Sequence, residues 1–264
     1  MIPLPKRMFR SPSFQTKISA YLRSNHPLFL TFLLVLFCAP VQALDWGPKS
    51  VTALKQRVGQ FIWTPAQFQK GQRTDRSPIT RVDPDDAKAF NASDSFSCLD
   101  IPSVGLLEAA MQANQYKKVC SQVRAIYDAA QRASIATFKR EFDRTQKPYL
   151  SELFAIDAYN QALLAPFGFL NKRPYRVGDP IPAGALLYYG DSPTHVAVGT
   201  GGERVISLHP QYWGSPLTLL SLKHLTVPEL LGHLAQNRTE EEQAEIDRLG
   251  GIKLYVSSPD WNQL

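Results

Sequence analysis

Cys98, His195 and a polar residue a little further on, Ser207 or His209, are of the types needed to attack an amide carbonyl, and they come in a workable order. A cysteine thiolate is the nucleophile, an imidazole takes its proton and returns it to the leaving amine, and a third polar group holds the ring in one tautomer. Cys98 lies in Ser95-Phe96-Ser97-Cys98-Leu99-Asp100, just ahead of a helix expected to start at Asp100-Ile101-Pro102. A helix N-terminus carries partial positive charge, so this placement should lower the thiol pKa and offer N–H groups to an oxyanion. His195 opens the apolar run Val196-Ala197-Val198-Gly199 after Ser192-Pro193-Thr194, which puts a base at the lip of a strand. Ser207 and His209 share one face of the following strand, because side chains alternate. His209 is the better acceptor for an imidazole N–H, and the candidate catalytic set is Cys98, His195 and His209.

These residues need a helix for the cysteine and a sheet for the histidine. Leu44 to Ile62 holds a short amphipathic pattern that predicts one helix. Thr64 to Ser97 is rich in Pro, Gly, Asp, Arg and Ser, with breakers at Pro65, Pro78 and Pro84, and reads as a long surface connection of little regular structure. Three helices are expected next: to about Asn114, from Tyr116 to Arg144, and from Ser151 to Ala165, the last stopped by Pro166 and Gly168. Strands follow from Ala185 to Leu208 and at 217–222. Thr226-Val227-Pro228-Glu229 and Thr239-Glu240-Glu241-Glu242 are capping patterns for two C-terminal helices, and Ile252 to Val256 reads as a closing strand. Helices first and antiparallel strands after is the α+β order. The expected divisions are 1–43, 44–97 for the N-terminal helix and irregular connection, 98–222 for the core, and 223–264 for the C-terminal helices and closing strand.

Residues 1–43 read as a cleaved secretory signal. Five basic and no acidic residues precede the apolar run Leu28 to Cys38, which is too short for a stable anchor, and Val41-Gln42-Ala43 suits a signal peptidase. The whole chain has 29 basic and 23 acidic side chains. Without the first 43 residues the balance is 24 against 23, so the basic excess belongs to the signal and nucleic acid is not expected as a partner. The expected location is periplasmic or secreted, with no stable membrane span once the signal is removed. Cys98 and Cys120 are then the two remaining cysteines, and in an oxidising compartment an even number also fits a disulfide. Cys98 therefore has two readings, nucleophile or disulfide partner of Cys120.

His224 and His233 have no acidic or cysteine partners at metal-ligand spacing, and there is no H-E-x-x-H or paired C-x-x-C, so no metal is assigned. Gly199-Thr200-Gly201-Gly202 falls between two strands and reads as a hairpin, not a phosphate loop, and no cofactor is expected. Tyr188 and Tyr189 are read mainly as core. Tyr212 and Trp213 have two readings, packing or the lining of a substrate cleft.

The stretch Gly184-Ala185-Leu186-Leu187-Tyr188-Tyr189-Gly190, followed by Thr194-His195-Val196-Ala197-Val198-Gly199, resembles the second half of NlpC-type, papain-like cysteine peptidases and amidases. The likeness runs from about Val177 to His209. It implies a papain-like fold with helices packed on a small antiparallel sheet, and a catalytic role for His195. Alignment of the third strand puts Ser207 at the family's orienting position. The chain departs from the family at the nucleophile, with Ser97-Cys98-Leu99-Asp100 where Asp-Cys-Ser-Gly is usual. Its cysteine-to-histidine spacing is also longer, which the helix from Tyr116 explains as an insertion.

The resemblance implies an exported cysteine hydrolase cleaving an amide bond in peptidoglycan stem peptides, with peptidoglycan or a protein as its partner. A secreted glutamine deamidase or transglutaminase-like toxin would use the same residues. The competing reading is an exported wall- or protein-binding domain without catalysis, stapled by Cys98 and Cys120.

Overall fold

The apolar spacing of the N-terminal half produces helices, but the first ends at Gln56 and not at Ile62 as its pattern suggested: Gly59 and Phe61 take left-handed backbone and Ile62 enters a strand. The computed structural model describes residues 45–176, 179–191, 195–208, 217–221 and 254–263, and the unit they build spans Ala43–Asn262. Its helices are α1 (Trp46–Gln56), α2 (Ile101–Gln112), α3 (Tyr116–Thr145) and α4 (Pro148–Leu164). All ten residues from Ile101 to Ala110 are buried, so α2 is surrounded on every side, as expected of a helix with no polar face. Gly105 makes this possible on one side: a Cβ there would come within 2.8 Å of Leu54 Cδ1, so the absence of a side chain sets the approach of α1. In α3 the buried positions Val119, Val123, Ile126, Tyr127, Ala130, Ser134, Thr137 and Glu141 form one stripe at helical spacing. α3 pairs with α4 as a helical hairpin, its last turn closed by Gln146 in the left-handed conformation.

The strands are β1 (Ile62–Trp63), β2 (Phe68–Gln69), β3 (Gln72–Arg73), β4 (Ser95–Phe96), β5 (Arg173–Pro174), β6 (Leu186–Tyr189), β7 (His195–Gly199), β8 (Arg204–Ser207), β9 (Thr218–Ser221) and β10 (Leu254–Ser257). Six of them form an antiparallel sheet in the order β5-β10-β6-β7-β8-β9. The closing strand is thus not an edge: it is inserted between β5 and β6, with Tyr255 opposite Tyr188. One face of the sheet carries Leu187, Tyr189, Ala197, Val205, Leu254 and Val256 in a single apolar cluster. On the other face Tyr188 meets Phe169 edge-on and donates its hydroxyl to the Phe167 carbonyl, just beyond α4. Gly184, at φ +82°, leads into β6 where a Cβ would lie 2.7 Å from Gly47 Cα, so the start of α1 packs directly on the sheet.

The architecture is α+β with helices against a small antiparallel sheet. The expectation for Thr64–Ser97 needs correction. This stretch is not a mere surface connection: it holds the β2–β3 hairpin, a 3₁₀ turn at Pro78–Arg81, and β4, which pairs in parallel with β1. Its polar composition concealed buried positions, Arg73 and Ile79 among them. The expected helices within 223–250 and the segment 1–43 lie outside the described residues, and no described helix is long and apolar enough to cross a membrane.

Candidate active site

Cys98 is delivered by a tightly capped turn. Ser97 is the N-cap of a 3₁₀ turn (Cys98–Asp100) that runs straight into α2. The Ser97 hydroxyl accepts from Leu99 N at 3.2 Å, and the Asp100 carboxylate accepts from Ser97 N at 2.9 Å, a reciprocal capping box. The turn rests on β7, where the backbone N–H of Val196 donates to Cys98 Sγ. Cys98 therefore meets the residue next to His195. Tyr189, opposite His195 in the β6–β7 register, sets its ring 4.8 Å from the imidazole at a tilt of 57° and feels the Cys98 sulfur electrostatically.

His195 is the first residue of β7 and is buried. Its Nε2 lies 2.7 Å from Ser207 Oγ on β8, a buried hydrogen bond whose direction depends on the tautomer. Stepping back from the Val198–Ile206 pair sets Ser207 beside Ala197, on the face that also carries His195, so the contact is a diagonal across the ladder. Among the described residues, the Nε2 partner is thus Ser207. His209, and with it Tyr212 and Trp213, lies outside the described residues.

Beneath Cys98 is a buried polar network. The Arg73 guanidinium binds Asp100 through two hydrogen bonds of 2.8 and 2.7 Å, and it also donates to Asp75 and to the Tyr159 hydroxyl. Tyr127 donates to Asp100 at 2.7 Å. The Arg73 guanidinium also faces the rings of Tyr127 and Tyr159. Burial alone would raise the Asp100 carboxyl, but Arg73, Tyr127 and the Ser97 N–H hold it below the usual carboxylate range. Burial would likewise weaken the Arg73 charge, and Asp100 outweighs it. β3, the cysteine turn and α3 are tied together at the Asp100 carboxylate, and α4 joins them through the Tyr159 hydroxyl on Arg73. The capping pattern Ser97-x-x-Asp100 was the signal for Asp100; Arg73, 27 residues upstream in a stretch that reads as irregular, carried none.

The expected fall in the Cys98 pKa does not occur in this resting arrangement. Burial pushes the thiol up to about 12, and the Asp100 carboxylate adds to the rise. Three N–H donors pull the other way without cancelling it: Val196 N, the Trp63 indole and the backbone N of Cys98 itself. The helix-terminus effect is worth at most about 2 kcal/mol, less than the desolvation of a buried thiolate.

The Cys98–Cys120 disulfide is not formed, and both thiols are free and buried. α2, about 18 Å long at 1.5 Å per residue, follows Cys98, and Cys120 lies one turn into α3 beyond its far end, so the two face different surroundings. Cys120 meets Tyr116, and burial raises its pKa as well. No cluster of three or more metal-ligating side chains occurs among the described residues. Searches with protein-family models, curated proteins and solved structures gave no match to this chain.

Proposed function

We propose that this protein is an exported cysteine hydrolase of the papain-like, NlpC type that cleaves an amide bond in peptidoglycan stem peptides. The observation that carries this reading is the seating of Cys98 against the head of the strand that bears His195. The Nε2···Ser207 bond supports it, because it leaves Nδ1 as the base when Nε2 carries the proton and donates to Ser207. The thiol is neutral at rest, so its proton leaves as the sulfur attacks: Sγ bonds to the carbonyl carbon and His195 takes the proton. The tetrahedral intermediate collapses with breakage of the C–N bond, and His195 returns the proton to the departing amine. Water, deprotonated by His195, then cleaves the thioester and restores the thiol.

One set of observations favours a second reading, a binding domain without catalysis: Cys98 and His195 are each only 7% exposed, and the thiol is strongly protonated. Incubation of the purified protein with peptidoglycan fragments, followed by mass spectrometry, separates the two. The hydrolase releases a fragment with a new amino terminus and loses this activity in Cys98→Ala. Retention of fragments with no cleavage by either protein favours the binding domain, and ammonia released from glutamine peptides instead points to the deamidase.

A further inference from the structure

The α3–α4 hairpin turns apolar side chains outward near its turn end. α4 has only two charged residues in 17, Glu152 and Asp157, and the residues it buries in its first half are small, Ser151 and Ala155. These let α3 approach closely: the Ser134 hydroxyl donates to the Ala155 carbonyl at 2.9 Å. Tyr149 and Leu153, one helical turn apart on the same face, are left 67% and 46% exposed. A helix face turned to water ordinarily carries charge, so the distribution here is inverted. On α3, Ile135, Phe138 and Phe142 form a second stripe at helical spacing. Ile135 is 43% exposed, and the two phenyl rings stack in parallel with centroids 5.9 Å apart. The β2–β3 hairpin joins the two stripes. A Cβ on its Gly71 would lie 2.8 Å from Phe138 Cβ and 3.1 Å from Ile135 Cα, and the Gly71 N–H donates to Glu152, the neighbour of Leu153, at 3.2 Å. Lysines border the same residues: Lys70 adjoins Gly71, Lys139 adjoins Phe138, and Lys147 stands just before α4 and Tyr149. All three are exposed and form no ion pair among the described residues. Arg140 and Arg144, by contrast, bind Glu141, and from Ile135 to the end of α3 the one exposed carboxylate is Asp143.

We propose that this face docks on an anionic membrane surface, with Ile135, Tyr149 and Leu153 entering the headgroup region and the three lysines meeting lipid phosphates. Aromatic and aliphatic side chains bordered by lysine are what the boundary between water and lipid takes up. The cations come from three separate segments, as suits a continuous anionic surface rather than a single acidic strand. The lysines also disfavour a second copy as the occupant, because a self-complementary contact would bring the same three charges against one another. Docking of this kind does not depend on the chemistry at Cys98.

Co-sedimentation with vesicles tests this. The processed chain from Leu44, which spans the compact unit of the structure, is used so that the apolar run Leu28–Cys38 binds no lipid itself. The vesicles are pure phosphatidylcholine, or phosphatidylcholine with about 30 mol % phosphatidylglycerol. The expected result is binding about tenfold stronger to the anionic vesicles, falling to the phosphatidylcholine level in about 1 M salt. Tyr149→Ser with Leu153→Ser, and Lys139→Gln with Lys147→Gln, should each weaken anionic binding by about fivefold or more, with melting temperature unchanged because the side chains are exposed. The lysine pair keeps the test decisive if the first pair fails to fold. Equal binding to both kinds of vesicle, binding to neither, or unchanged binding by either folded variant overturns the proposal. So does a dimer in sedimentation equilibrium that Tyr149→Ser with Leu153→Ser dissolves, which assigns the face to a second copy. None of these outcomes depends on whether the protein hydrolyses an amide.

Discussion

The Asp100 carboxylate accepts two hydrogen bonds from the Arg73 guanidinium, and the same carboxylate caps the turn that carries Cys98. The candidate nucleophile is therefore held by an ion pair between its own turn and the β2–β3 hairpin. The pair is enclosed, with side-chain exposures of 2% and 0%, so its partners depend on each other.

Removing one partner should leave a buried, uncompensated charge. Arg73→Met and Asp100→Asn are each expected to lower unfolding free energy by about 3–5 kcal/mol, against a much smaller loss for Arg73→Met combined with Asp100→Leu. Urea unfolding of the three variants checks this. Losses below about 1 kcal/mol in both single variants would show that the network is not structural.

Two carboxylates set opposite pH trends. The depressed pKa of Asp100 stabilises the fold above its usual value near 3.8, and this contribution is lost as pH falls through the lower folded value. Burial raises Asp157 to about 6, with the Gln161 hydrogen bond and Lys172 offsetting it only in part; its contribution is full below 3.8 and is lost as pH rises to 6. Melting temperature of Asp157→Asn should therefore lack the decline between pH 4 and 6 seen in the parent. An identical slope in the two proteins rules this out.

For hydrolysis, His195→Ala should reduce kcat by about 10²–10⁴, the usual contribution of a general base. Ser207→Ala should cost less, because the hydroxyl orients the ring without touching the substrate, and it should displace the pH–rate profile. A Ser207→Ala enzyme with unchanged rate and profile would remove Ser207 from the orienting role.

Thiol counting tests the free cysteines. The folded protein, prepared without reductant, should react slowly with a thiol reagent at neutral pH, and the denatured protein should show Cys98 and Cys120 both reactive. Cys120→Ser should change stability by well under the 2–4 kcal/mol typical of losing a disulfide. Thiols that emerge only after reduction would restore the stapled alternative.

The helices were legible in the sequence because each rests on a local repeat. The stripe of α3 and the start of α2 at Pro102 were set by residues three or four apart, and the observed bounds fall within a few residues of those expected. The strand order from β6 to β8, and the place of His195 at the head of β7, came from apolar runs separated by turns. The site's partners were not legible. Ser207 reaches the imidazole on a diagonal that depends on the pairing register, which only the ladder supplies.

Arg73 comes from a stretch whose composition is that of a solvent-exposed loop, and nothing within a few residues marks it for burial. Its role arises from a contact 27 positions apart along the chain, made when the β2–β3 hairpin closes on the cysteine turn. The sequence alone determined the cysteine-then-histidine order and the elements beneath it, because periodicity and capping are local. Only the tertiary structure decided the charge state of Cys98: a thiol pKa depends on burial and on which donors and carboxylates arrive around the sulfur, and these come from distant parts of the chain.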